Sequence, residues 1–315
     1  MRTDNNQLHY TGRIGQFFIY LNKQFRLFVL QSDWKVLPMA AIIAAMVSIA
    51  VGRGLFVSME GTFQGTFALT CVCIWNGFFN SIQSICKERA IIKREHRAGM
   101  HITSYVCAHL VYQFILCILQ VAITITVLGV TGVKYPETGV LFGFIPEMFI
   151  SMLLITYAAD VCALMVSSIV KTSTAAMTVM PFILIIQLVL SGFIALPEAL
   201  SDATNLMLSK WGVMSLCVIS DYNSLPAVMI WNKMVASGDR IDLGGGISMG
   251  QLLGIVEEQG MRDTILQKLG EANAREDFAA NLTNLVNSWG HLIAFTVVYA
   301  VIAVVFLEFI DKDSR

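Results

Sequence analysis

Ser84-Ile85-Cys86-Lys87-Glu88-Arg89-Ala90-Ile91-Ile92-Lys93-Arg94-Glu95-His96-Arg97-Ala98-Gly99-Met100 is a dense charge cluster set between two long apolar runs. Five of its residues are Lys or Arg and two are Glu. Glu88 and Glu95 lie seven apart, which on a helix stacks them on one face. A charged helix between two apolar runs belongs at the edge of a bilayer, where a soluble partner can grip it.

The composition around it agrees. Of 315 residues, 56% are apolar and 14% charged, against about 25% charged in an ordinary soluble domain. Mean hydropathy is +0.68. Single runs exceed the roughly 18–20 apolar residues that cross a bilayer. A net charge of −1 supplies no global field for nucleic acid. The seven cysteines are scattered and form no CxxC pair, so neither a zinc site nor a thioredoxin-like site is expected. Cys217 alone falls in a region expected outside the membrane, where it has no partner for a disulfide. Residues 1–37 are polar and amphipathic, unlike a cleavable signal peptide.

Six spans are expected, at about 36–51, 63–85, 102–130, 144–170, 175–196 and 289–310. With the N-terminus inside, the inner segments hold Arg2, Arg13, Lys23, Arg26, Lys35, Lys87, Arg89, Lys93, Arg94, Arg97, Lys171, Lys312 and Arg315. The two short outer loops hold only Arg53 and Lys134. That asymmetry predicts both termini on the cytoplasmic side, and the membrane is expected to be the plasma (cell inner) membrane.

Residues 1–35 are expected to form a cytoplasmic connecting segment. Phe17, Phe18, Leu21, Phe25, Phe28 and Val29 are apolar at helical spacing, with Gln16, Lys23, Gln24 and Arg26 polar. Such a helix lies on the inner membrane surface or packs on a partner subunit, and the two are compatible. Residues 36–196 hold spans 1–5, with the charged helix at 86–100. Residues 197–288 form an acidic segment, with Lys210–Leu216 as a short re-entrant or interfacial hairpin. A structure-breaking run follows at Gly244-Gly245-Gly246, then two amphipathic helices of an external cap from Leu252 on. Residues 289–315 form span 6 and a tail. The fold class is thus all-α, polytopic, with an N-terminal amphipathic helix and a helical cap between spans 5 and 6.

No GxxxxGK[ST] phosphate loop, HExxH or GxSxG occurs, so the chain has no familiar device for nucleotide hydrolysis. In this order of elements, three stretches carry a resemblance: Asn80 to Glu95, Leu190-Ser191-Gly192-Phe193-Ile194, and Lys210 to Leu216. The chain resembles the membrane domain of ATP-binding-cassette transporters of the type-2 exporter class, with G-subfamily-like architecture. Bacterial permeases associated with forkhead-associated-domain ATPases are similar to it. The resemblance covers about 16–309, leaving the cap at 236–288 unmatched.

The resemblance implies a permease without catalytic residues or cofactor of its own. Its partners are an ABC ATPase subunit, which carries ATP and Mg, and a second permease, identical or sister. The short polar lead before the first span places the ATPase on a separate chain. Glu88, Arg89, Lys93, Arg94 and Glu95 become the coupling residues, the Arg forks suiting partner carboxylates. The alternative for the basic residues is that they only set topology and touch lipid phosphate. Asn76, Asn80 and Gln83, with Leu184, Ile185 and Leu188, fall on the substrate path. Phe193 and Ile194 fall at the outer gate. Interhelical hydrogen bonding and ordinary packing are the alternatives for these two groups. Asp160 and His109 sit at similar depth in neighbouring spans and are expected to pair, structurally or as a proton relay.

The cargo of such a permease is hydrophobic or amphipathic and the direction is export. Two rivals remain at this stage: an ion-coupled secondary transporter, and a membrane receptor whose external cap binds a ligand.

Overall fold

The structure, a computed structural model of the chain, describes residues 12–30, 33–52, 54–192, 202–238 and 248–310. Helices dominate the described residues. Three are long and apolar enough to cross a membrane: α5 (Ile102–Val130), α6 (Phe144–Ile169) and α12 (Leu282–Glu308). Two shorter apolar helices accompany them, α2 (Val36–Val51) and α7 (Ser173–Val189). The remaining long helix, α3 (Met59–Ser81), is more polar but lies largely buried.

α6 is the centre. It packs against α3 and α12 and also touches α5 and α8 (Leu208–Ile219). The closest approach is at Gly77 of α3. A Cβ there would meet the Thr156 carbonyl and lie 2.7 Å from the Asp160 nitrogen. α3 is started by Ser58, whose Oγ accepts the Gly61 N–H. α2 turns Ala40, Ala44 and Ser48 inward at i, i+4 and i+8, and leaves Met39, Ile42, Met46 and Ile49 outward. α6 begins at a carboxylate clamp. Glu147, fully buried, accepts N–H groups of Val140, Leu141, Phe142 and Gly143.

The charged helix, α4, spans Ser84–Arg97 and starts two residues earlier than expected, after a break at 82–83. Its first N–H groups lack a local cap. Ser167 of α6 supplies one instead, its Oγ accepting from Ile85 N (3.1 Å) and Cys86 N (3.2 Å). It ends in a Schellman turn: Gly99 takes φ 100°, its N–H bonds the His96 carbonyl, and Met100 N–H bonds Glu95.

The Lys210 to Leu216 segment is the core of α8, a helix buried along nearly its whole length against α3, α6 and α12. Cys217, expected outside, is buried there with Sγ 3.3 Å from Thr66 Oγ1. All seven cysteines are free thiols. Three helices follow α8: α9 (Val228–Gly238), α10 (Met249–Glu258) and α11 (Arg262–Ala272). They share a small core of Trp231, Leu253 and Leu266. Leu282 and Leu285, expected in the cap, belong instead to the first turn of α12. Asn281 caps that turn by accepting the Asn284 N–H. The Gly244-Gly245-Gly246 run lies outside the described residues.

Candidate functional site

α1 (Arg13–Leu30) is amphipathic, as its periodicity requires, but its faces are reversed relative to a solvated helix. Gln16, Tyr20, Lys23 and Gln24 point into the protein, while Arg13, Asn22 and Arg26 are exposed. Ile14, Phe18, Ile19, Val29 and Leu30 point outward, all more than half exposed. Gln16 Nε2 donates to the Gly99 carbonyl, and its Oε1 accepts from His101 N. Gln24 Nε2 lies 2.9 Å from His109 Nε2. A helix that turns these two glutamines inward and displays Phe and Val, with Arg13 and Arg26 also at its surface, suits a membrane interface.

The same reversal determines what α4 does. Glu88 Oε2 accepts from Lys23 Nζ of α1 at 2.9 Å and from Tyr105 OH of α5 at 3.2 Å. Glu95 Oε2 accepts from Tyr20 OH at 3.0 Å. Burial, then this hydrogen bond and the two carboxylates, hold the Tyr20 phenol well above its ordinary pKa. Arg89 Nη1 donates to the Ser168 (2.8 Å) and Val170 (3.3 Å) carbonyls at the end of α6. Three of the five residues expected to meet a partner therefore brace α4 against its own chain. Lys93 is half-buried and Arg94 is exposed. The outward stripe of α4 runs Lys87, Ile91, Arg94 and Ala98, spaced four, three and four apart, with no carboxylate on it.

The expected path residues divide. Asn80 and Gln120 of α5 form a reciprocal amide pair, at 2.9 and 3.0 Å. Asn76 is buried in α3. Gln83 lines a cavity of about 390 Å³ enclosed mainly by α1, α3, α4 and α5. Leu184 and Leu188 of α7 face Ile74 and Trp75 of α3 across a void of about 10 Å³, while Ile185 points outward. Phe193 and Ile194 lie outside the described residues.

The expected His109–Asp160 pair does not form. His109 takes Gln24, and Asp160 Oδ1 accepts from Ser81 Oγ at 2.7 Å. His109 Nδ1 and Asp160 Oδ2 have no hydrogen-bond partner. Equal depth placed both residues at one level, but depth does not fix which way a side chain points around its helix. Tyr20, Tyr105 and Ser167 carry much of the site and escaped the sequence reading, while Lys23 and Gln24 were read only as the polar face of α1. The available signal was the run of polar residues Gln16, Tyr20, Lys23 and Gln24 at helical spacing on an otherwise apolar helix.

The ABC-2 type transporter family matches residues 15–218. The chain belongs to that family. The match takes in α1 through α8, so the braced α4, the cavity behind it and the α3–α6 packing all lie within the family's membrane domain. Such a domain is the multi-pass permease part of an ABC transporter. Among curated proteins none matches the chain.

Proposed function

We propose that this ABC-2 permease forms the path of an ATP-driven exporter for hydrophobic or amphipathic molecules. The six crossings are α2, α3, α5, α6, α7 and α12. Both termini lie in the cytoplasm, the membrane is the plasma (inner) membrane, and α9–α11 form the external cap. The ATPase is a separate chain that binds ATP and Mg, and a second permease, identical or sister, completes the path. The architecture is G-subfamily-like, related to permeases that work with forkhead-associated-domain ATPases.

The observation that carries this reading is the two-sidedness of α4. Its inward face is bonded to α1, α5 and α6 through Glu88, Glu95 and Arg89. Its outward face offers Lys87 and Arg94 around Ile91. A basic face with a central aliphatic contact fits an acidic-rimmed groove on the ATPase. A helix braced on its other side transmits a push instead of absorbing it.

The test is co-purification with an ABC ATPase encoded beside this chain. Wild type is expected to retain the ATPase and its nucleotide hydrolysis. The double reversal Lys87→Glu with Arg94→Glu is expected to lose both with an unchanged unfolding midpoint. Full ATPase retention by that variant would overturn the assignment of α4.

A further inference from the structure

We propose that the cavity behind α4 receives the head of an anionic amphiphile from the cytoplasmic leaflet; this rests on the topology and transport reading above. At about 390 Å³ it falls in the range of small-molecule sites, roughly 300–1,000 Å³. Its wall mixes apolar side chains such as Leu27, Ile82 and Leu116 with a group of buried polar ones. His109 and Gln113, one turn apart on α5, line it, and each is 2% exposed. His109 Nδ1 and Gln113 Oε1 have no partner in the protein. Buried polar atoms are almost always satisfied, so these two mark hydrogen-bonding capacity that the fold itself does not use. Gln83 and Ser84 add to that wall.

The lips of the cavity differ from its floor. Phe79, Ile91 and Met177 line it and are also 49%, 39% and 40% exposed. A polar interior with apolar lips accepts a head and leaves the tail in lipid. Charge sets the sign of the head. The exposed Lys87 and Ile91 stand at the edge shared by the outward stripe of α4 and the cavity, and Lys87 lines the wall beside Glu88, which is already engaged by Lys23 and Tyr105. The positive charge of Lys87 is what remains. Because Ser84, Lys87 and Glu88 all belong to α4, any displacement of α4 by the ATPase reshapes the site directly.

The test is photolabelling of the full chain, without ATPase, in phosphatidylcholine nanodiscs. The probes are a diazirine lysophosphatidic acid and the matching neutral monoacylglycerol. The anionic probe is expected to mark peptides carrying Phe79, Gln83 and Gln113 about tenfold over the neutral one, the effect of one charge-assisted hydrogen bond. Lys87→Glu, a change on an exposed side chain, and Gln113→Leu are each expected to lower that labelling about tenfold. Labelling of the outward α12 residues Val297 and Val301 stays equal for both probes. Equal marking of the cavity by the two probes, or marking unmoved by both variants, would overturn the proposal. Since no ATPase is present, that failure would leave the docking role of α4 standing. Adding the ATPase then separates cargo from resident lipid: cargo accelerates ATP hydrolysis, whereas a lipid occupies the same site without doing so.

Discussion

Exchanging Lys23 for Met and Glu88 for Gln, singly and together, asks whether α1 and α4 behave as one body. The ion pair spans 2.9 Å, with side chains 29% and 18% exposed. A fully exposed pair contributes about 0.2–1 kcal/mol. Breaking a fully buried one costs about 3–5 kcal/mol. This pair lies between those limits, and Gln at 88 still accepts the Tyr105 hydroxyl, so a coupling of about 1–2 kcal/mol is expected. Each single change lowers the unfolding midpoint of the purified permease by about 2–4 °C per kcal/mol, and the double variant falls by less than the sum. The assay is a double-mutant cycle on thermal unfolding in one lipid mixture, with ATPase stimulation measured in parallel. Arg94→Glu is the contrasting variant. On an exposed side chain it should move stability by no more than about 0.5 kcal/mol while removing the ATPase. If Lys23→Met and Glu88→Gln prove additive within about 0.3–0.5 kcal/mol, α1 does not brace α4, and the two-sided account of the helix fails.

Three further outcomes follow from local geometry. Glu147→Ala leaves four partly buried N–H groups before α6 without their carboxylate acceptor; with water able to reach some of them, a loss of about 1–3 kcal/mol is expected, seen as reduced yield and a lower midpoint. Gly77→Leu drives a side chain into the α6 backbone at Thr156 and Asp160; overpacking of this kind costs about 1–3 kcal/mol or more, and size-exclusion profiles should show a misassembled protein. Tyr20 holds its proton more tightly folded than unfolded, so its contribution is complete below the ordinary phenol value of about 10 and declines as pH rises above it; Tyr20→Phe should flatten the alkaline arm of a stability–pH curve.

The helical membrane class and the position of the charged helix were legible because they rest on composition and run length, which no tertiary contact can reverse. Helix ends were legible to about a residue at α2, α5 and α6, whereas the expected span at 63–85 missed the Ser58 cap and ran across the break at 82–83. The direction in which α4 and α1 face was not legible. Two glutamates on one helical face are equally good for a partner protein and for a neighbouring helix of the same chain. Only the placement of Tyr20, Lys23 and Tyr105 decides between them. Asn80 presents the same ambiguity: an amide in a span must find a partner, and Gln120, forty residues on, is invisible to any local window. The Lys210 to Leu216 segment was expected as a re-entrant or interfacial hairpin, and α8 with the helix after it forms a pair bent by 58°, the geometry of a broken span or re-entrant loop; the burial of α8 by α3, α6 and α12 was not legible, because it comes from distant helices closing around it.

In the coupling proposed above, a push on α4 has two routes into the bundle. One runs through the break at 82–83 into α3. The other runs through Ser167 and Arg89 into the end of α6, the helix that touches α3, α5, α8 and α12. α1, bonded to α4 through Glu88 and Glu95, moves with it in that coupling. α7 stands apart from this body. It meets α3 and α6 only lightly and keeps Phe182, Ile185 and Ile186 outward. The void between α3 and α7, about 10 Å³, is at the threshold of roughly 10–15 Å³ needed for one water. Within one chain Trp75 and Leu184 therefore leave no passage between α3 and α7, and the path proposed above runs where a second permease meets this one, with α7 the least attached of the proposed crossings.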